Sequence, residues 1–163
     1  MTDKNNYSIQ LDPETKMHCT LYLFKNVENT AEIRKKIVIA ANKAAINETC
    51  KRLITRNKST EILFYLSITK NISKSLTDFG ASDDDKNILV VTIHEAEKQD
   101  SISKMIVDNI KGESLSLEKL KELTNLELAK KYYKIDNEEL NVSTCTDSII
   151  SRIACKDFSS SRS

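Results

Sequence analysis

The sequence predicts a mixed α+β fold in one domain, and three observations carry that expectation. Met17, Cys19, Leu21 and Leu23 alternate with His18, Thr20, Tyr22 and Phe24, which is the two-residue period of a strand. Two short apolar runs, at residues 62–66 and 88–93, are rich in β-favouring types and bounded by polar residues. Before, between and after them stand segments of helical periodicity, several opened by an Asn, Ser, Thr or Asp suited to capping.

Taken in order, Tyr7 to Leu11 reads as an edge strand, and Asp12, Pro13 and Glu14 as a turn, with proline supplying a fixed φ. The strand at residues 17–24 is apolar on both faces toward its end, so it belongs inside the sheet. Asn29 or Thr30 is placed to cap a helix opening AEIRKK. Two apolar stripes follow: Ile33, Ile37, Ala40 and Ala44, and then Ile39, Ile46, Cys50 and Leu53. At 3.6 residues per turn they lie about half a turn apart. One continuous helix must then bury opposite sides along its length, or break near Val38; the lack of Gly or Pro favours continuity. The stretch from Ile39 to Ser67 organises the chain, as a helix that hands over to a central strand at Ile62, Leu63, Phe64, Tyr65 and Leu66.

Asn71 caps a helix whose Ile72, Leu76 and Phe79 share a face, with Gly80 placed as its left-handed terminator. An acidic turn, Ser82 to Asp85, leads into a second apolar strand at Ile88, Leu89, Val90, Val91 and Ile93. The remainder reads as helical. Residues 101–111 end near Gly112, Ser116 caps LEKLKEL and Asn125 caps LELAKKYYK. Asp136 and Glu139 have the spacing of a capping box, and a last helix runs from about Thr144 to Cys155 with Cys145, Ile149 and Ile153 on one face. Residues 1–158 are expected to form the domain and 159–163 a disordered tail.

Composition narrows the function. A net charge of +1 over 163 residues gives no global pull toward nucleic acid or membrane, so any basic function is local. Two glycines leave no phosphate-cradling loop. The first residues have no apolar core of signal-peptide length and nothing approaches a membrane span, which points to cytoplasm or nucleus. The sequons at Asn47, Asn57, Asn71 and Asn141 are then chance. Cys19, Cys50, Cys145 and Cys155 lack paired metal spacing and read as reduced thiols; His18 beside Cys19 faces the opposite side of a strand, and no metal or cofactor is expected. From Arg34 to Lys58 eight basic residues stand against one acid, Glu48, either as a solvated helical face or as a phosphate-contacting patch. His94 with Glu95 and Glu97 is a polar strand end that lacks a nucleophile, although a histidine beside carboxylates has the groups of an acid–base site.

Several segments together, LYLFKNVEN, IAANKA, STEILFYLS, ISKSLTDFG, ILVVTI and DSIISRIACKD, resemble in order the PRPK-binding, Cgi-type small subunits of the KEOPS (EKC) complex. The resemblance implies a small, mostly antiparallel sheet packed against several helices. It also implies a non-catalytic subunit that binds and supports an atypical kinase-like ATPase in threonylcarbamoyladenosine modification of transfer RNA. The matching surface positions are Ala40 to Ala44 and Ser59 to Glu61. Asn42, Lys43, Arg56, Lys58, Ser59 and Thr60 are thereby the candidates for transfer RNA contact, and Ile149, Ile150 and Ile153 those for kinase contact. Asn42 and Thr60 also suit local capping or bracing. One departure stands out, since the family's longer connector with a proline is missing here and the two helices join directly at Val38. Competing readings are an autonomous module for the transfer RNA 3′ end and a small acid–base enzyme around His94 and Glu95.

Overall fold

The computed structural model describes residues 5–11, 13–14, 16–33, 54–55 and 58–158. Its elements in chain order are β1 (Asn6–Gln10), β2 (Met17–Lys25), helices Lys58–Leu66 and Ile72–Phe79, β3 (Ile88–Glu95), helix Gln99–Asn109 and β4 (Glu113–Leu115). Helices Leu120–Leu123, Leu126–Tyr133, Asn137–Leu140 and Cys145–Ala154 follow, with single 3-10 turns at Ala96–Lys98 and Leu117–Lys119. The chain divides into two compact units, residues 1–37 with 81–124 and residues 38–80 with 125–163.

The first unit is built on β2. It pairs antiparallel with β1, from Asn6↔Tyr22 to Gln10↔His18, and antiparallel with β3, from Met17↔Glu95 to Phe24↔Ile88. The short β4 continues the β1 edge through Leu23↔Leu115 to Lys25↔Glu113, and the Asn5 side chain donates to the Ser114 carbonyl at 3.2 Å between the two. The two-residue period sends Thr20, Tyr22 and Phe24 to a buried face, where Tyr22, Phe24, Val27, Ile88, Ile106 and Ile110 form the core, with Ile102 and Val90 at its edge. Helix Gln99–Asn109 supplies Ile102 and Ile106 and its C-cap Ile110, and the Tyr22 and Ser103 hydroxyls share a 2.7 Å hydrogen bond. The α+β class and the antiparallel sheet thus agree with the sequence reading.

Three expectations change in this unit. The apolar run at 88–93 is buried on one face only, because Leu89, Val91 and Ile93 alternate outward and are 45%, 38% and 36% exposed. β4 occupies a stretch read as helix-rich. Its three residues are too few to show a period, and Gly112 leads into it at a close approach: a Cβ there would lie 2.9 Å from Val27 Cγ2 and 3.1 Å from the Lys25 carbonyl. Residues 30–33 begin a helical turn whose first bonds run from the Glu32 and Ile33 N–H groups to the Asn29 carbonyl. The Asn29 side chain is engaged elsewhere, accepting from the Lys111 N–H at 3.0 Å and donating to the Asn109 carbonyl at 2.8 Å. Thr30 donates to the Asp85 carbonyl at 2.7 Å.

In the second unit the predicted central strand at Ile62–Leu66 is instead the end of helix Lys58–Leu66. A short all-apolar run carries no period by which a strand and a buried helix can be told apart. Here the polar residues just before it decide. Glu61, in the first helical turn, accepts from the N–H groups of Ile54 (3.2 Å) and Thr55 (2.7 Å) and so ties the helix to the chain that precedes it, and an acid in the first turn suits the helix N-terminus. The Asn71 cap holds, its side chain accepting from the Lys74 N–H at 2.9 Å. Gly80 ends that helix at φ −78 and ψ 152, extended rather than left-handed. Its lack of a side chain matters because a Cβ would stand 2.3 Å from the Leu76 carbonyl oxygen. The Asn125 cap also holds, accepting from the Leu128 N–H at 2.9 Å, and Lys134 at φ 54 supplies the left-handed stop that no glycine marks. Phe79 meets Tyr132 edge-on at 5.2 Å between centroids, and the Tyr133 hydroxyl donates to the Leu66 carbonyl at 2.6 Å.

The predicted helix from Ile39 to Leu53, its two stripes apart from Ile33, the junction at Val38, the basic residues 34–56 and the 159–163 tail lie outside the described residues.

Candidate docking surfaces

The last helix is positioned by polar anchors. The Thr144 hydroxyl caps it, accepting from the Asp147 N–H at 3.1 Å and donating to the Asp147 carboxylate at 2.6 Å. Ser148 is buried, with its hydroxyl 3.4 Å from that of Ser143. One turn on, the Arg152 guanidinium forks onto Glu139 at 2.7 and 2.6 Å and also donates to the Ser148 and Lys134 carbonyls, each at 3.1 Å. This fork explains a departure from the capping box read at Asp136. Asp136 does accept from the Glu139 N–H at 2.8 Å, but the Glu139 carboxylate turns to Arg152 instead of back to the cap. The Arg152 hydrogen bonds, with one from Ser148, hold the Glu139 carboxyl at about 2.

Past the helix end, Lys156 is 2% exposed. Its ammonium sits 3.5 Å from the centroid of the Phe64 ring and donates to the Phe64 carbonyl. Burial pushes this amine down, against the opposing pull of Asp157 and Glu61. On the opposite side of the helix Ile150 is 56% exposed, while Ile149 and Ile153 are half-buried. The three isoleucines expected at a partner surface therefore differ: Ile150 is open, and the other two are partly covered by their own chain.

The residues expected to contact transfer RNA are not assembled into one described surface. Asn42, Lys43 and Arg56 lie outside the described residues, and Lys58 begins the helix. Ser59 is exposed. The Thr60 hydroxyl donates to that of Thr55 at 2.9 Å, the local bracing its residue type allows. Burial raises the Glu61 carboxyl, but the Thr55 hydroxyl and the backbone N–H groups of Thr55 and Ile54 outweigh it and hold it below the usual carboxylate range. A carboxylate thus already occupies the positive end of this helix.

His94 is buried, with Nε2 2.8 Å from the Thr20 hydroxyl and Nδ1 2.9 Å from the Glu95 carbonyl. Glu95 points to the other face of β3 and pairs with Lys98 at 2.8 Å. Histidine and carboxylate do not converge on one reacting point, so this strand end is a packed polar cluster.

A model of the family described as "Kinase binding protein CGI-121" matches residues 34–157. The zebrafish (Danio rerio) EKC/KEOPS complex subunit TPRKB is 31% identical over 159 residues, covering 85% of this chain and 90% of its own. The EKC/KEOPS complex subunit CGI121 of Eremothecium gossypii is 26% identical over 148 residues, covering 76% of this chain and 82% of its own. That of Yarrowia lipolytica is 31% identical over 107 residues, covering 66% and 60%. The chain belongs to the CGI-121 family of kinase-binding proteins, whose named relatives are subunits of the EKC/KEOPS complex.

Proposed function

We propose that this chain is a non-catalytic subunit that docks on the kinase-like ATPase of an EKC/KEOPS complex and supports threonylcarbamoyladenosine modification of transfer RNA. The observation that carries the reading is the last helix. It lies within the matched residues 34–157, is fixed by Thr144, Ser148 and Arg152, and turns Ile150 to solvent. A surface held rigid before association loses little side-chain entropy on docking, which is the property a protein-binding face needs.

His94, with both ring nitrogens hydrogen-bonded within the fold, supports the non-catalytic reading over an acid–base one. Co-purification of the tagged full chain with the kinase subunit of the same organism tests the proposal. A stoichiometric complex that raises the kinase subunit's ATP turnover is the expected result. Separate elution at micromolar concentrations overturns it.

A further inference from the structure

Among the described residues β3 pairs with β2 alone, in an unbroken register of eight pairs, so its other edge presents backbone N–H and C=O groups along eight residues. Proteins usually blunt such an edge with proline, a bulge, an inward charge or shortness. The β3 sequence ILVVTIHE has no proline or glycine, and its inward ionisable side chain, His94, is hydrogen-bonded at both ring nitrogens. Its outward row, Leu89, Val91 and Ile93, is exposed.

Both ends of this edge keep a net negative charge. Asp83, Asp84 and Asp85 precede it against Lys86, and Glu97 follows beside a Glu95–Lys98 pair at 2.8 Å. A second copy laid antiparallel on the same edge brings the Asp83–Asp85 end of one chain against the Glu95–Glu97 end of the other. Such like-charge juxtaposition disfavours self-pairing. An occupant with the opposite charge satisfies both the hydrogen-bonding edge and its ends.

We propose that β3 is an acceptor for strand addition by an extended segment of another protein, apolar at alternate positions and basic at both ends. Main-chain hydrogen bonds supply the recognition of an extended backbone, the Leu89–Val91–Ile93 row covers its alternate side chains, and Asp83–Asp85 and Glu97 select its charge.

The test titrates the full chain with the synthetic peptide KVTVTVTVK, followed by backbone amide NMR. Two control peptides are used, one with Glu at both ends and one N-methylated at alternate residues. Expected are saturable shifts along residues 88–95, binding at least about tenfold weaker for the Glu-ended peptide, and no binding by the methylated one. The proposal is overturned by an absence of binding up to millimolar peptide, by equal binding of either control, by shifts confined to other elements, or by a sedimenting homodimer that the peptide does not dissociate.

Discussion

Replacing Ile150 probes the proposed docking face with a magnitude that follows from its exposure. Complete burial of an isoleucine side chain stabilises by about 1.5–3 kcal/mol, and Ile150 has 56% of its surface still to lose. Covering it with a partner therefore contributes about 0.8–1.7 kcal/mol, roughly 4- to 20-fold in affinity. Ile150→Ala, which keeps part of that area, belongs at the low end. Ile150→Asp adds a buried charge without a partner and should exceed the upper end. Calorimetric titration of the kinase subunit measures both. The parallel thermal melt should hardly move, since an outward-facing side chain contributes little to the fold. Ile149→Ala and Ile153→Ala should behave differently, lowering the thermal midpoint because both side chains are half-buried in their own chain. Wild-type affinity in Ile150→Asp, with the melt unchanged, refutes the placement of the kinase contact on this face.

Gly112→Ala should destabilise by about 1–3 kcal/mol, since its Cβ would press on Val27 Cγ2 at 2.9 Å and on the Lys25 carbonyl at 3.1 Å. For a chain of this size that is a fall of about 2–10 °C in the thermal midpoint, and an unchanged midpoint would show that the junction yields freely. Glu139 gives a pH signature. Its folded value of about 2 lies below the ordinary glutamate value of about 4.5, so its contribution is present above the unfolded value and is lost as pH falls toward about 2. Urea midpoints of the wild type and Glu139→Gln should differ at pH 6 and converge near pH 2; a constant difference across that range contradicts the linkage.

The alternating strand, the edge position of β1 and the caps at Asn71 and Asn125 are all legible in the sequence, because each rests on a local rule that tertiary context left intact. Where context intervened, the reading failed. Residues 62–66 have no polar residue inside the run to reveal a period, and the helix that contains them begins at Lys58, ahead of the run, with Glu61 in its first turn tied back to Ile54 and Thr55. Gly80 was assigned the right boundary for the wrong reason, since closeness to the Leu76 carbonyl and not a positive φ demands it. The Arg152–Glu139 fork joins residues 13 apart, beyond any helical spacing, and so diverts Glu139 from the capping role its local sequence suggests.

The last helix shows why the exposed face of a helix can be misjudged from apolar pattern alone. Cys145, Ile149 and Ile153 form the stripe that ordinarily marks a helix's buried side. Yet the groups that fix this helix are Ser148, Arg152 and Lys156, at spacings of four, two of them almost wholly buried and the third forked onto Glu139. Anchoring by hydrogen bonds and an ion pair fixes orientation more strictly than apolar contact, because the donors and acceptors must meet at set distances and angles. It also frees an isoleucine to face outward without loosening the helix. The sequence mark of such a surface is therefore a polar residue recurring every fourth position opposite an apolar one. In this chain that pattern singles out Ile150 from its two neighbours.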